Sequence, residues 1–202
     1  MCTDVHRCIG DIEHQFKLMY ANTLQEETGL LYHGYDYSHT ASWANADRGH
    51  SPEVWDRALG WYMMALVDVL EIYPKDNSVF LEQFQTLAPR VVAAADKDSG
   101  VWWLVMSQPG REGNYFESSA AAMFVYSILK GVRLGFLNDL DGSLVVGAKK
   151  AYQYIIDNWV VAKSDGTFDW LNTVEASDSL HTMLMFSMYL YTFEGWKSQR
   201  SC

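Results

Sequence analysis

Apolar positions recur at helical period along most of the chain, and they predict four helices. Residues 54–73 are apolar on almost every face. They follow a helix-start signal, Ser51-Pro52-Glu53, which offers a capping hydroxyl, a proline suited to a first turn and an acid near the positive end of the dipole. Pro74 is expected to end that helix. Residues 78–95 carry Phe80, Phe84, Leu87, Val91 and Val92 three or four apart, with Glu82, Gln83, Gln85 and Arg90 between them. This predicts an amphipathic helix kinked at Pro89. Residues 115–136 are again apolar and rich in small side chains from Ser118 to Ala122, whereas 143–162 alternates apolar positions with Lys149, Lys150, Gln153 and Asp157. One helix is read as buried, the next as half-exposed.

A short phrase recurs between these helices: a polar turn, a glycine, then an extended aromatic segment. It occurs at Glu27-Thr28-Gly29-Leu30-Leu31-Tyr32-His33, at Asp98-Ser99-Gly100-Val101-Trp102-Trp103-Leu104 and at Ser164-Asp165-Gly166-Thr167-Phe168-Asp169-Trp170. The three glycines stand 71 and 66 residues apart. Such a period describes a repeated hairpin of one outer amphipathic helix, one glycine–aromatic loop and one inner apolar helix. An inner helix apolar all round needs neighbours on both flanks, which predicts an all-α ring of hairpins of which this chain supplies about three. No linker or charge block divides residues 1–202, read as a single domain with a divergent tail at 175–202. That tail is Met-rich from Leu180 to Tyr189, predicting a final helix with loosely packed methionines, with a partner or membrane surface as the alternative reading. In so open a ring, inner surface such as Met63 to Val67 is expected to be exposed and to favour aggregation.

Composition narrows the classes. With 49% hydrophobic and 20% charged residues among 202, the chain is globular rather than disordered. Its 8 Trp, 12 Tyr and 9 Phe exceed ordinary packing needs and suit a protein that offers flat faces to ligands. A net charge of −10 argues against nucleic acid and against a membrane surface as partners. Cys2, Cys8 and Cys202 form no disulfide framework, and no His spacing completes a zinc site, so no metal and no cofactor are expected. The N-terminus lacks the apolar run of a signal peptide and no stretch reaches the roughly 20 apolar residues of a membrane span, so a cytoplasmic location is expected.

The densest run of polar and aromatic groups is 32–61, with Tyr32, His33, Tyr35, Asp36, Trp43, Trp55, Arg57 and Trp61. Arg57 and Trp61 are four apart and share one helix face, setting a guanidinium fork beside an aromatic plane. The fork can take a carboxylate bidentately and the indole can stack on a sugar ring. The loop bearing His33 can fold over that end. Equally, Arg57 can pair with a carboxylate such as Asp56 or Asp36 while the tryptophans serve the core. A second cluster, from Gln108 to Glu117, is a glycine-rich loop leading into a helix. Its helix N-terminus can receive an anion, or Asn114 can simply cap it. Paired carboxylates for glycosidase chemistry can be drawn from Asp36, Asp56, Glu112 and Glu117, but no spacing brings two of them together.

Three motifs, Gly29 to Asp36, Ser51 to Trp61 with Met64 to Leu70, and Arg111 to Phe124, resemble the unsaturated rhamnogalacturonyl hydrolases of glycoside hydrolase family 105. They occur in that family's order and approximate spacing, over about residues 5–174. The resemblance implies an (α/α)6 barrel of six helical hairpins, here incomplete at roughly half of the ring. It also implies removal of a terminal 4,5-unsaturated galacturonic acid from rhamnogalacturonan fragments of pectin, without a metal. In that chemistry one aspartate protonates C4 and guides water to C5, and the unstable product then opens to release the leaving sugar. By resemblance His33 is the loop histidine of the active site, and Trp55, Arg57 and Trp61 line the sugar pocket, with Arg57 on the uronate carboxylate. The family's aspartate motif precedes the loop histidine by several tens of residues, and residues 1–28 hold no match, Asp4 and Asp11 included. The chain is therefore expected to be the middle of such an enzyme and inactive alone. Two alternatives stay open: a non-catalytic remnant that holds acidic sugars, and a related unsaturated glucuronyl hydrolase acting on glycosaminoglycan fragments.

Overall fold

A computed structural model describes residues 5–72 and 78–174, with backbone alone for 5–9. Five helices follow one another: α1 (Val5–Thr23), α2 (Asp56–Ile72), α3 (Ser78–Ala93), α4 (Ser118–Arg133) and α5 (Ser143–Trp159). A two-stranded antiparallel ribbon of β1 (Val160–Ala162) and β2 (Phe168–Trp170) closes the described chain. The helices form two rows. The apolar α2 and α4 pack most extensively on each other, and the amphipathic α1, α3 and α5 line up outside them. This is an incomplete six-hairpin ring. The Met-rich stretch, Pro74, Cys2 and Cys202 lie outside the described residues, as does the side chain of Cys8.

The recurring glycine phrase is a recurring turn. In the first copy Gln25 N–H donates to Leu30 O at 2.9 Å and Gly29 N–H to Gln25 O at 2.7 Å. In the second, Asp96 N–H donates to Val101 O at 2.9 Å and Gly100 N–H to Asp96 O at 2.8 Å. Thr28 Oγ1 bonds Gln25 Oε1 at 2.5 Å, and Ser99 Oγ bonds Asp96 Oδ1 at 2.8 Å, so even the side chains correspond. The third copy is a residue shorter, closed by Lys163 N–H to Thr167 O at 2.8 Å. Gly29 and Gly100 have φ of +69° and +81°, in the left-handed region that glycine enters freely. Each also lies beneath a long basic side chain of the next outer helix. Arg90 of α3 donates to Gly29 O at 3.1 Å, and Lys150 of α5 donates to Lys97 O at 2.6 Å.

The core is one cluster running from Leu30 to Trp159, with Phe80, Phe84, Trp102, Phe124 and Ile128 at its centre. Trp102 is 1% exposed, donates Nε1–H to Val91 O at 2.7 Å and meets Phe124 edge to face at 4.9 Å. Four expectations need correction. Met63, Leu66 and Val67 are fully buried, because α3 and α4 cover that flank of α2. The helix expected from residue 54 starts at Asp56, since 54–56 pair instead with 104–106; Ser51 caps no helix and accepts from Gly34 N–H at 3.2 Å. The helix at 115–136 starts at Ser118 and is capped by Glu117, not Asn114. The segment 160–162 is strand, drawn into the ribbon with 168–170. Residues 5–23, for which the sequence carried no prediction, form α1.

Candidate active site

The glycine–aromatic loops join edge to edge at one end of the inner helices. His33 N–H donates to Glu53 O at 3.3 Å and Ser51 N–H to Gly34 O at 2.8 Å. Next, Met106 N–H reaches Val54 O at 2.8 Å and Asp56 N–H reaches Leu104 O at 3.0 Å. Leu104 N–H then bonds Tyr115 O, Glu117 N–H bonds Trp102 O, and Ser118 N–H bonds Asn172 O. This chain of short bridges takes three loops far apart in sequence and lays them over the N-termini of α2 and α4. It brings His33, Trp55, Arg57 and Glu117 to the same end of the molecule.

His33 is held by its Nδ1, which lies 3.0 Å from Glu53 O and 3.0 Å from the fully buried Ser51 Oγ. A backbone carbonyl only accepts, so the contact with Glu53 O places a proton on Nδ1. The imidazole meets the half-buried indole of Trp55 edge to face at 6.1 Å. Trp61 stands one turn below Arg57 on α2 and is 57% exposed. It is therefore not a core residue, though no cation–π contact joins Arg57 to it among the described residues. His33 and Trp55 are brought into contact with each other, and Trp61 is left on the open surface.

Arg57 pairs with neither Asp56 nor Asp36. Its Nη2 lies 2.7 Å from Glu117 Oε1, 3.1 Å from Thr173 Oγ1 and 3.1 Å from Val174 O. Its Nε is buried without a partner, so the bidentate edge is not open; Nη1 is the remaining donor nitrogen of a side chain 22% exposed. Glu117 is fully buried and richly satisfied. Oε1 also accepts from Ser119 Oγ, Thr173 Oγ1 and Val174 N–H, while Oε2 accepts from Ala120 N–H at 2.8 Å and Ser119 Oγ at 2.9 Å. Burial opposes its charge, but these donors and the Arg57 guanidinium hold its carboxyl below the ordinary glutamate range. The sequence offered a signal for this residue, an acid at the N-cap position of an apolar run, but not for its partner 60 positions earlier.

The four candidate carboxylates divide. Asp36 is tied up in its own loop, accepting from Ser38, Thr40 and Ala41, and Glu112 is exposed on the glycine-rich loop. Asp56 lies beside Glu117, but it is fully buried and neither of its oxygens has a hydrogen-bond partner among the described residues. Burial and then the Glu117 charge push its pKa well above the ordinary aspartate range. Two sealed carboxyls cannot reach a sugar, so Asp56 and Glu117 are not a glycosidase acid–base pair. The anion reading of the second loop fails as well, because Glu117 itself occupies the N-terminus of α4. Asn114 staples that loop through Val105 and Gln108. Among the described residues no group of His, Cys, Asp or Glu is placed to hold a metal, and no helix is long and apolar enough to cross a membrane.

Comparison with known proteins places the sequence and the fold among glycoside hydrolases. A family model described as Glycosyl Hydrolase Family 88 matches residues 3–189. Over 142 residues, 69% of the chain, the sequence is 39% identical to Protein Atu3128 of Agrobacterium fabrum and to a 24.9 kDa protein in the picA locus of Rhizobium radiobacter; the chain spans 60% of the length of each. A solved family 105 glycoside hydrolase from C. acetobutylicum is 39% identical, with a TM-score of 0.75 over 80% of this chain and 45% of that one. A possible family 105 member from Klebsiella pneumoniae is 28% identical, with a TM-score of 0.65 over 83% and 40%. An unsaturated glucuronyl hydrolase from a Bacillus species shares the fold at 18% identity and a TM-score of 0.59, over 76% and 42%.

Proposed function

Because the chain belongs to Glycosyl Hydrolase Family 88 and is of the family 105 type, we propose that it carries the uronate-binding wall of an enzyme acting on unsaturated sugars. The reaction assigned is release of a terminal 4,5-unsaturated galacturonic acid from rhamnogalacturonan oligosaccharides by hydration of the double bond. The observation that carries the reading is the state of Arg57. Its Nη2 is fixed by three acceptors while Nη1 remains available, at the loop-covered end of the inner helices. A guanidinium held in this way has lost its rotational freedom before the ligand arrives, so less entropy is lost on binding a carboxylate.

In this reading Nη1 donates to the uronate carboxylate, Trp61 stacks on the sugar ring, and Trp55 with His33 forms the adjoining wall. Proton delivery to C4 is assigned to neither Asp56 nor Glu117, since both are sealed from the ligand. Calorimetric titration with unsaturated galacturonate tests the binding role. Charge-assisted hydrogen bonds contribute about 1.5–3 kcal/mol, so Arg57→Ala should weaken binding on the order of tenfold or more. Arg57→Lys, which keeps a cation for Glu117, guards against a folding artefact. Equal heats for parent and both variants would remove Arg57 from the site. Titration with unsaturated rhamnogalacturonan and glycosaminoglycan disaccharides decides the substrate class, and binding of the latter alone would sink the rhamnogalacturonan assignment.

A further inference from the structure

We infer that Glu117 is a positioning residue whose carboxylate sets the direction in which Arg57 offers its remaining N–H groups. The inference rests on the reading of Arg57 as the uronate's partner, and it names a residue which that reading does not use. Glu117 is fully buried and joins three separate pieces of chain. Through Ala120 N–H it caps α4, through Arg57 Nη2 it grips the first turn of α2, and through Val174 N–H and Thr173 Oγ1 it ties down the loop after β2. With its backbone at the N-cap of α4 and both oxygens committed, the carboxylate is a fixed point. The guanidinium is planar, so fixing Nη2 against it fixes where Nη1 lies.

Two effects of Glu117 on a bound uronate have opposite sign. As a buried anion beside Arg57 it repels a second carboxylate. As an anchor it keeps the cation aimed. A substitution that removes the charge therefore tightens binding if repulsion dominates and weakens it if aim dominates. Glu117 has six hydrogen-bond contacts at 2.7–3.3 Å, and Thr173 is the only exposed residue among those partners. So densely held a group acts as an anchor, and weakening is the expected outcome.

Glu117→Gln places amide hydrogens against either Arg57 Nη2 or Ala120 N–H, breaking one contact whichever way the amide turns. Two measurements follow. The Nη resonances of Arg57, identified through Arg57→Lys, should be separate in the parent because rotation of the group is hindered, and should merge in Glu117→Gln. The dissociation constant for unsaturated galacturonate should rise at least tenfold in that variant. Glu117→Asp covers the case in which the glutamine variant fails to fold. It keeps the charge and a good capping group but draws the carboxylate back by one methylene, and it should show the same merging and the same loss. Separate resonances in the folded variants, or binding equal to or tighter than the parent's, overturn the inference. If the parent itself binds no unsaturated galacturonate, the uronate reading fails by that result, and the Arg57 resonances still decide whether Glu117 orients the side chain.

Discussion

Asp56 and Glu117 are both sealed from solvent, yet only one of them has hydrogen-bond donors, and they titrate in opposite directions. For Asp56 the folded state holds the proton more tightly than the unfolded chain. Stability linked to it is present at low pH and is lost as pH rises from about 4, the ordinary aspartate value, towards its raised one. Glu117 works in reverse: its contribution is present above the ordinary glutamate range and is lost as acid titrates it through its lowered value. Asp56→Asn, which carries no proton to lose, should flatten the fall of stability on the alkaline side of pH 4. Urea midpoints across a pH series check this, and parallel curves for parent and variant would show that Asp56 is ionised in the fold. None of this was legible at the residue scale. Arg57 was singled out by type and spacing, but its partner lies 60 positions away on another helix, and no local pattern encodes a contact closed only by packing α2 on α4.

Among the elements, the glycine turns were readable because their requirement is local: a polar side chain closes the turn and a glycine supplies positive φ. What lies over each turn was not, since Arg90 and Lys150 arrive from the next hairpin. The start of α2 was placed too early for a similar reason. Ser51-Pro52-Glu53 is a good start signal in isolation, but pairing with 104–106 holds the backbone extended as far as Trp55. Within α4, a Cβ at Gly131 would come 2.4 Å from Cε1 of Phe84, a ring with no exposed surface in α3. Helix propensity favours alanine by about 1 kcal/mol, but overpacking a rigid core costs about 1–3 kcal/mol, and the clash wins. Gly131→Ala should lower the melting temperature, while Gly10→Ala in α1, with nothing among the described residues within 4 Å of the new carbon, should leave it unchanged or raise it. A rise at Gly131 would mean that α3 can slide away from α4.

For the whole molecule, the buried apolar residues from Leu30 to Trp159 form one cluster, and Trp102 lies within it. Helices that share a single core lose it together. Melts followed by far-ultraviolet circular dichroism and by the near-ultraviolet signal of the tryptophans should therefore coincide, whereas separate transitions would show that the inner and outer rows come apart. By itself the sequence determined the helical class, the hairpin period, the turns and the family, because each is written in local spacing and residue type. Only the tertiary structure decided that Met63 is buried, that Asp56 carries an unpartnered carboxyl and that Arg57 is held by Glu117. Burial and ion pairing depend on which surfaces meet, and in a ring of hairpins the surfaces that meet belong to residues about sixty positions apart.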